Sequence, residues 1–302
     1  MLLRAYLGVT ISFRGDLRPA RVLFENVLAA GASIAEVGRE GRPSVAAEAI
    51  AYAAPYFSLT AWHLGDLALA RRLMEQAEEW SAIIGGSAPV VAILMLTVLE
   101  GRRSDADATL KAADRLIALA SGTGMAMMAG FGKIYRAWAF GRMHDATVGA
   151  LELRQALDHL NGTGVMVAST YYHGLIADLE AAAGNTTAAL EEIDKGLSIS
   201  AKNGEHWADA CLHCLRGDVL LKQEPARTTA ARESYETAIA VANGQGARSL
   251  TLLASLPLAK LHLSANRRGE ARDVLAPALE GFSPTPEMPQ IAEAQTLLQR
   301  LP

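Results

Sequence analysis

The sequence has only two cysteines in 302 residues, Cys211 and Cys214, set three positions apart. That excludes a disulfide framework. A basic stretch is also lacking. Lys and Arg number 28 against 32 Asp and Glu, a net charge of −4, so nothing is built to neutralise phosphates and no nucleic-acid partner is expected. The longest apolar run, about residues 88–99, is far short of the roughly 20 residues that a bilayer demands. The N-terminal MLLRAYLGVTISF is apolar but carries Arg4, and a turn of Phe13, Arg14, Gly15 and Asp16 follows it instead of a small-residue cleavage site. Neither a signal peptide nor a membrane partner is expected, and the cytoplasm is the default location. No G-x-x-x-x-G-K-[ST] loop and no nucleophile elbow occurs, and the seven histidines lack metal-ligand spacing. These absences predict a non-catalytic chain that needs neither metal nor cofactor.

What is present is a repeat. A turn residue is followed five positions later by alanine, then by core positions four and seven further on. The members are Gly15-Ala20-Phe24-Val27, Gly65-Ala70-Met74-Ala77, Gly101-Ala106-Leu110-Ala113, Gly141-Ala146-Ala150-Leu153 and Gly184-Ala189-Ile193-Gly196. Ala226-Ala231-Tyr235-Ala238 and Asn266-Ala271-Leu275-Ala278 complete the series of seven. The alanines recur 50, 36, 40, 43, 42 and 40 residues apart. A period of that size belongs to stacked helical hairpins, each packing on its neighbours.

The punctuation supports helix, short turn, helix, longer turn. Glycine supplies a left-handed backbone at helix ends, and the Asp, Ser, Asn or Thr that follows caps the next helix. Second glycines close the second helices at Gly31, Gly85-Gly86, Gly124, Gly164, Gly204 and Gly246; two Gly-Thr-Gly triplets stand 40 residues apart. Alanines on the second helices admit close neighbours, and the larger residue between them fills the gap. A small residue often sits seven before the turn in the first helix: Gly8, Ser58, Ala177 and Ala259, with Leu94 and Ile134 as exceptions. Pro257 and Pro277 fall in helix-like stretches and are expected to kink them.

This spacing resembles the tetratricopeptide repeat, in a longer-helix form of about 40 residues. The C-terminal half resembles something narrower. The blocks 204–210 with 215–221, 238–250, and 270–277 look like the repeat tail of bacterial multidomain regulators, in which an adenylate-cyclase-like or winged-helix domain precedes an ATPase domain. Tyr6-Leu7-Gly8-Val9 is similar to an early repeat of that tail. The resemblance implies a sensor or scaffold tail. It does not carry cyclase or ATPase activity to this chain, because no phosphate loop or cyclase metal-aspartate segment accompanies it.

Candidate chemistry is sparse. Cys211-Leu212-His213-Cys214 supplies too few ligands for zinc and reads as two buried small residues in a helix interface. Glu78-Glu79 and Glu191-Glu192 point apart on a helix and read as solvated faces. The aromatics of the first helices are more suggestive. The register places Tyr52, Trp62, Phe131, Tyr135, Trp138 and Tyr171 on the inner face, where rings offer contact area to a partner; the alternative is that they pack between helices. Asp178 and Lys260 are the polar exceptions among mostly apolar inner slots. A clamp for a peptide carboxylate, which needs Lys and Asn there, is not expected, and an apolar helix or domain fits better.

The sequence thus predicts an all-α, right-handed superhelix of about seven antiparallel helical hairpins plus a capping helix. It predicts a single array over 1–302 with repeats near 1–31, 43–86, 87–124, 125–164, 165–204, 205–246 and 247–281, and a cap at 286–301. The expected function is a protein-interaction scaffold or sensor of a bacterial regulatory system that binds a protein or peptide. The alternative is a ligand-sensing regulatory tail of a split cyclase or ATPase. The first helix, with Met1, Leu2, Leu3, Leu7 and Ile11, lacks a polar cap and is expected to pack on a second copy of the chain or on an upstream ATPase or cyclase domain. At the other end, Ile291, Ala294, Leu297, Leu298 and Leu301 are expected to close the stack.

Overall fold

The computed structural model describes residues 1–30 and 45–301. Among the described residues it is all-α, with no strand. Helices follow in hairpin order. α1 (Leu2–Phe13) precedes α2 (Leu17–Ala30), α3 (Val45–His63) precedes α4 (Leu67–Ile84), and α5 (Ala88–Arg102) precedes α6 (Ala106–Gly122). α7 (Ala126–Met143) precedes α8 (Ala146–Gly162), and α9 (Ser169–Ala182) precedes α10 (Thr186–Asn203). A 3-10 turn at His206–Ala208 leads into α11 (Asp209–Gln223) and α12 (Thr228–Gln245); α13 (Arg248–Ser264), α14 (Arg268–Leu279) and α15 (Gln290–Gln299) complete the chain. The expected helix end at Gly31, and the start of the second repeat at 43, lie outside the described residues.

The chain divides into two compact units. One comprises 1–62 with 66–168, the other 63–65 with 169–302. In the first unit, α5 contacts α7 as well as α6, and α7 contacts α8. In the second, α11 contacts α9 and α13 besides its own partner α12. First helices of successive hairpins therefore pack on each other as well as on their second helices.

The turns explain where the second helices begin. Gly15, Gly65 and Gly184 hold φ near +90°, at +90°, +86° and +89°, and Ser104 and Asn266 take the same left-handed region at +58°. At Asp66, Asp105 and Asp145 the residue after the turn caps the helix with its side chain. Asp66 Oδ1 accepts from Leu69 N at 3.3 Å, Asp105 from Ala108 N at 3.0 Å, and Asp145 from Thr147 N and Val148 N at 3.0 and 3.1 Å. Each cap satisfies amide donors that the first helical turn leaves without partners.

This capping pattern corrects the expected register in the third and fourth hairpins. Gly101 and Gly141 are not turns; they are buried inside α5 and α7. The turn positions are Ser104 and His144, three residues later. The close-packed positions four after each cap are Ala20, Ala70, Thr109, Gly149, Ala189, Ala231 and Ala271, all buried. From Ala70 onward they recur 39, 40, 40, 42 and 40 residues apart, a more even period than the alanines alone show. Eight after the cap stand Phe24, Met74, Ala113, Leu153, Ile193, Tyr235 and Leu275, all fully buried.

The same shift removes the exceptions in the first helices. The position seven before the turn becomes Gly8, Ser58, Thr97, Ala137, Ala177 and Ala259, joined by Gly217 in the sixth hairpin. All are small and buried, and Ser58 Oγ donates to the Ala70 carbonyl across its hairpin at 2.7 Å. A Cβ on Gly8 would lie 2.7 Å from the Phe24 ring, and one on Gly217 would lie 2.4 Å from the Tyr235 ring. Gly149 meets backbone instead: its Cβ would fall 2.5 Å from Gly141 Cα and 2.8 Å from the Ala137 carbonyl oxygen. Gly141 is thus retained for packing, not for turning.

Pro55, Pro257 and Pro277 all lie inside helices, so none of them ends one. The C-terminal cap forms, shorter than expected. Ile291 and Ala294 on α15 are fully buried, with Met288 before it and Leu301 after it, while Leu297 and Leu298 are only half-buried. α15 packs on α13 and α14.

Two outcomes follow from this packing. Gly149→Ala should lower stability by about 1–3 kcal/mol, because backbone cannot yield to the new methyl. Gly122→Ala, where a Cβ would meet nothing within 4 Å, should be neutral or stabilising by about 0.5–1 kcal/mol. Equal melting curves for the two variants would contradict the register. Ile291→Ala should cost about 2–5 kcal/mol and make the last hairpin the first site of protease nicking.

Candidate functional site

The repeat register generates a column of residues one place after the small first-helix position. In the second unit this column holds Asp178 on α9, Asp218 on α11 and Lys260 on α13. Two of these were named from sequence; Asp218 was missed. Its hairpin has a longer turn, 224–227, so counting back from Ala226 lands two residues late.

Asp218 is the most informative of the three. Its side chain reaches solvent, yet it is crowded enough that desolvation pushes its carboxyl above the usual carboxylate range. The Tyr235 hydroxyl donates to Asp218 Oδ1 at 2.7 Å and partly offsets the shift. The charge of Asp178 raises it further, and that of Lys260 lowers it. Asp178 and Lys260 therefore converge on Asp218. Lys260 is exposed and reaches across to Glu293 at 2.6 Å, which brings the capping helix to the same face. Tyr235 itself is pushed well above the ordinary phenol range, by burial first and by Asp218 second. It stays a neutral donor.

Packing produces this arrangement. Tyr235 fills the position eight after the cap of α12, and only glycine at 217 lets its ring lie across α11. The hydroxyl then emerges beside Asp218, one residue along. Cys214, one turn earlier on α11, lies under the same face; its thiol faces the Leu253 carbonyl at 3.8 Å, and burial with the nearby Asp218 charge pushes it well above the ordinary thiol range. Such a thiol is a packing group, not a nucleophile.

The aromatic candidates sit elsewhere. Trp62, Phe131, Tyr135, Trp138 and Tyr171 are buried, with at most 7% of their surface exposed. Tyr171 lies 5.4 Å from the ring of Trp207 on the 3-10 turn. Tyr52 alone among the six is half-buried, in the first unit beside Tyr6 and Tyr56.

Glu192 departs from its expected solvated position. It is buried and held by His173 Nδ1 at 2.7 Å and by Lys195 Nζ at 3.0 Å. Glu100 is likewise buried between Arg71, at 3.1 Å, and Arg103. Carboxylates so fully paired serve packing. Ser200, His206 and Asp209 do come together, but Ser200 Oγ and Asp209 Oδ2 both meet His206 Nδ1, each at 2.9 Å. A nucleophile relay needs the serine and the acid on opposite ring nitrogens, so this cluster cannot pass a proton from one to the other.

No family model matches this chain, and no curated protein matches it. Among solved structures it is similar to the crystal structure of the yeast Tom70, with a TM-score of 0.49 and 14% identity over 94% of this chain. The chain spans 59% of the length of that protein chain.

The shift at Asp218 gives a signed expectation. Its folded-state value lies above the unfolded one of about 3.9, so the ionised form opposes folding at neutral pH. That cost disappears as pH falls through the folded value. Asp218→Asn should therefore be more stable than the parent at pH 7, with the difference closing as pH approaches 4. A gap that is absent at pH 7, or that widens in acid, would contradict the crowded setting.

Proposed function

We propose that this chain is a non-catalytic protein-interaction scaffold of a bacterial signalling or regulatory system, working in the cytoplasm. The reading rests on one observation. The inner column of the second unit carries the exposed Asp218 and the half-buried Asp178, and Lys260 beside them is engaged by Glu293. The face is acidic and supported from beneath by Tyr235. Its complement is a protein or peptide segment that presents Lys or Arg between apolar residues. Charge complementarity of this kind sets partner choice and association rate more than raw affinity.

A second reading, a regulatory tail acting on an attached or neighbouring ATPase or cyclase domain, draws on the first helix. On α1, Leu3 is 81% and Leu7 49% exposed, one turn apart, forming an apolar strip. Such a domain, or a second copy of the chain, is the proposed cover for that strip. The two readings place the partner on different units.

Selection of random peptides against the purified chain separates them. The scaffold reading expects enrichment of peptides bearing Lys or Arg, and loss of that enrichment in the Asp178→Lys, Asp218→Lys double variant while its helical circular dichroism is unchanged. Enrichment of acidic or uncharged peptides, or equal selection by the double variant, would contradict it. Leu3→Glu with Leu7→Glu should leave this selection intact.

A further inference from the structure

In the first unit, α1, α3 and the turn from α4 to α5 enclose a cavity of about 330 Å³. Its walls are about equally apolar, from Tyr6, Tyr52, Leu2, Ile84 and Val91, and polar, from the turn at Gly85, Gly86 and Ser87 and one carboxylate, Glu48. No Lys or Arg is among the described residues that line it. Glu48 is exposed and forms no ion pair among the described residues.

The rings are held in place. Tyr6 and Tyr52 lie 4.6 Å apart with planes tilted by 54°, and Tyr56 follows at 5.1 Å from Tyr52. Burial pushes the Tyr52 phenol upward, against a hydrogen bond from Tyr56 that lowers it, so at neutral pH the Tyr52 ring is uncharged and carries its negative quadrupole face intact. Several helix ends meet at the cavity. The C-terminus of α4 contributes partial negative charge and the N-terminus of α5 partial positive charge. The starts of α1, at Leu2, and of α3, with Glu48 in its first turn, add further partial positive charge, and Glu48 is the one full charge among the described residues that line the cavity.

We propose that this cavity is a binding site for an organic ammonium group, seated against Tyr6 and Tyr52 and neutralised by Glu48. Aromatic faces attract such cations, most strongly where water is partly excluded, and a quaternary or secondary ammonium suits them better than a compact hydrated metal ion. A neutral apolar ligand would fill the volume but leave the carboxylate unanswered. An anion would meet Glu48 unfavourably. The volume is at the small end of ligand sites and suits an alkylammonium head with a short tail. Two sources share this chemistry: a free small cation, or a lysine side chain, methylated or not, offered by a protein. The site lies in the other unit from the acidic column, and it stands or falls without it.

The amides of Gly85 and Gly86 line the cavity and report on it. Choline should shift their ¹H–¹⁵N signals in a saturable manner, whereas 3,3-dimethylbutan-1-ol, its neutral isostere, should not at equal concentration. Glu48→Gln and Tyr52→Leu should each weaken choline binding by about five- to tenfold, and Tyr52→Phe should retain it. Glu48 is at the surface, so its variant keeps the test valid if the leucine variant does not fold. Short peptides bearing lysine or trimethyllysine separate the sources: tighter binding than choline assigns the site to a protein side chain, and weaker binding assigns it to a free cation. Equal binding of the neutral isostere, an unchanged affinity in Glu48→Gln, or no response at Gly85 and Gly86 would overturn the proposal.

Discussion

Close approach between the two helices of each hairpin is the constraint on which the rest of this molecule depends. It requires a small residue on the first helix, seven before the turn, and a filler on the second helix, eight after the cap. Phe24 covers Gly8 in this way, and Tyr235 covers Gly217. Where the filler is shortest, at Ala113, the first helix offers Thr97, which restores part of the missing bulk. In the fourth hairpin the approach is backbone against backbone, at Gly149, Ala137 and Gly141. The hydrophobic term rewards this contact at roughly 25 cal/mol per Å² buried, but only the small residues make the geometry available.

The same constraint builds the acidic face. A side chain one residue beyond the small position leaves the hairpin seam and stands on the column shared by successive first helices. In the second unit that residue is Asp178, Asp218 or Lys260; in the first unit it is Val9, Leu59, Val98 or Trp138. One repeat geometry thus yields an apolar column in one unit and a charged one in the other. Tyr235 connects the two roles, because its ring is a packing element and its hydroxyl a ligand of Asp218.

Much of this was legible in the sequence, and the failures have physical causes. The 40-residue period and the caps were visible because glycine, aspartate and alanine are demanded locally. The register slipped at Gly101 and Gly141 because a glycine buried within a helix, as Gly141 is against Gly149, looks in sequence like a glycine kept for a turn. The actual turn at Ser104 uses a residue that seldom takes a left-handed backbone. Asp218 was hidden by the longer turn of its hairpin. Burial of Trp62, Phe131, Tyr135, Trp138 and Tyr171 depends on what lies across from each ring, and single-helix periodicity carries no information about that. Glu192 illustrates the same limit for charge: its partner His173 lies on another helix, nineteen residues earlier.

The claim that a packing residue sets the chemistry of the acidic face is tested most directly at Asp218 itself. Its carboxyl can be titrated by carbon-detected NMR in the parent and in Tyr235→Phe, which keeps the ring over Gly217 and removes only the hydroxyl. The account predicts that the midpoint of Asp218 rises in the variant, since the hydrogen bond that favours its charged form is gone while the crowding and the Asp178 charge remain. An unchanged or lowered midpoint would mean that Tyr235 does not support Asp218, and that the seam and the face are independent.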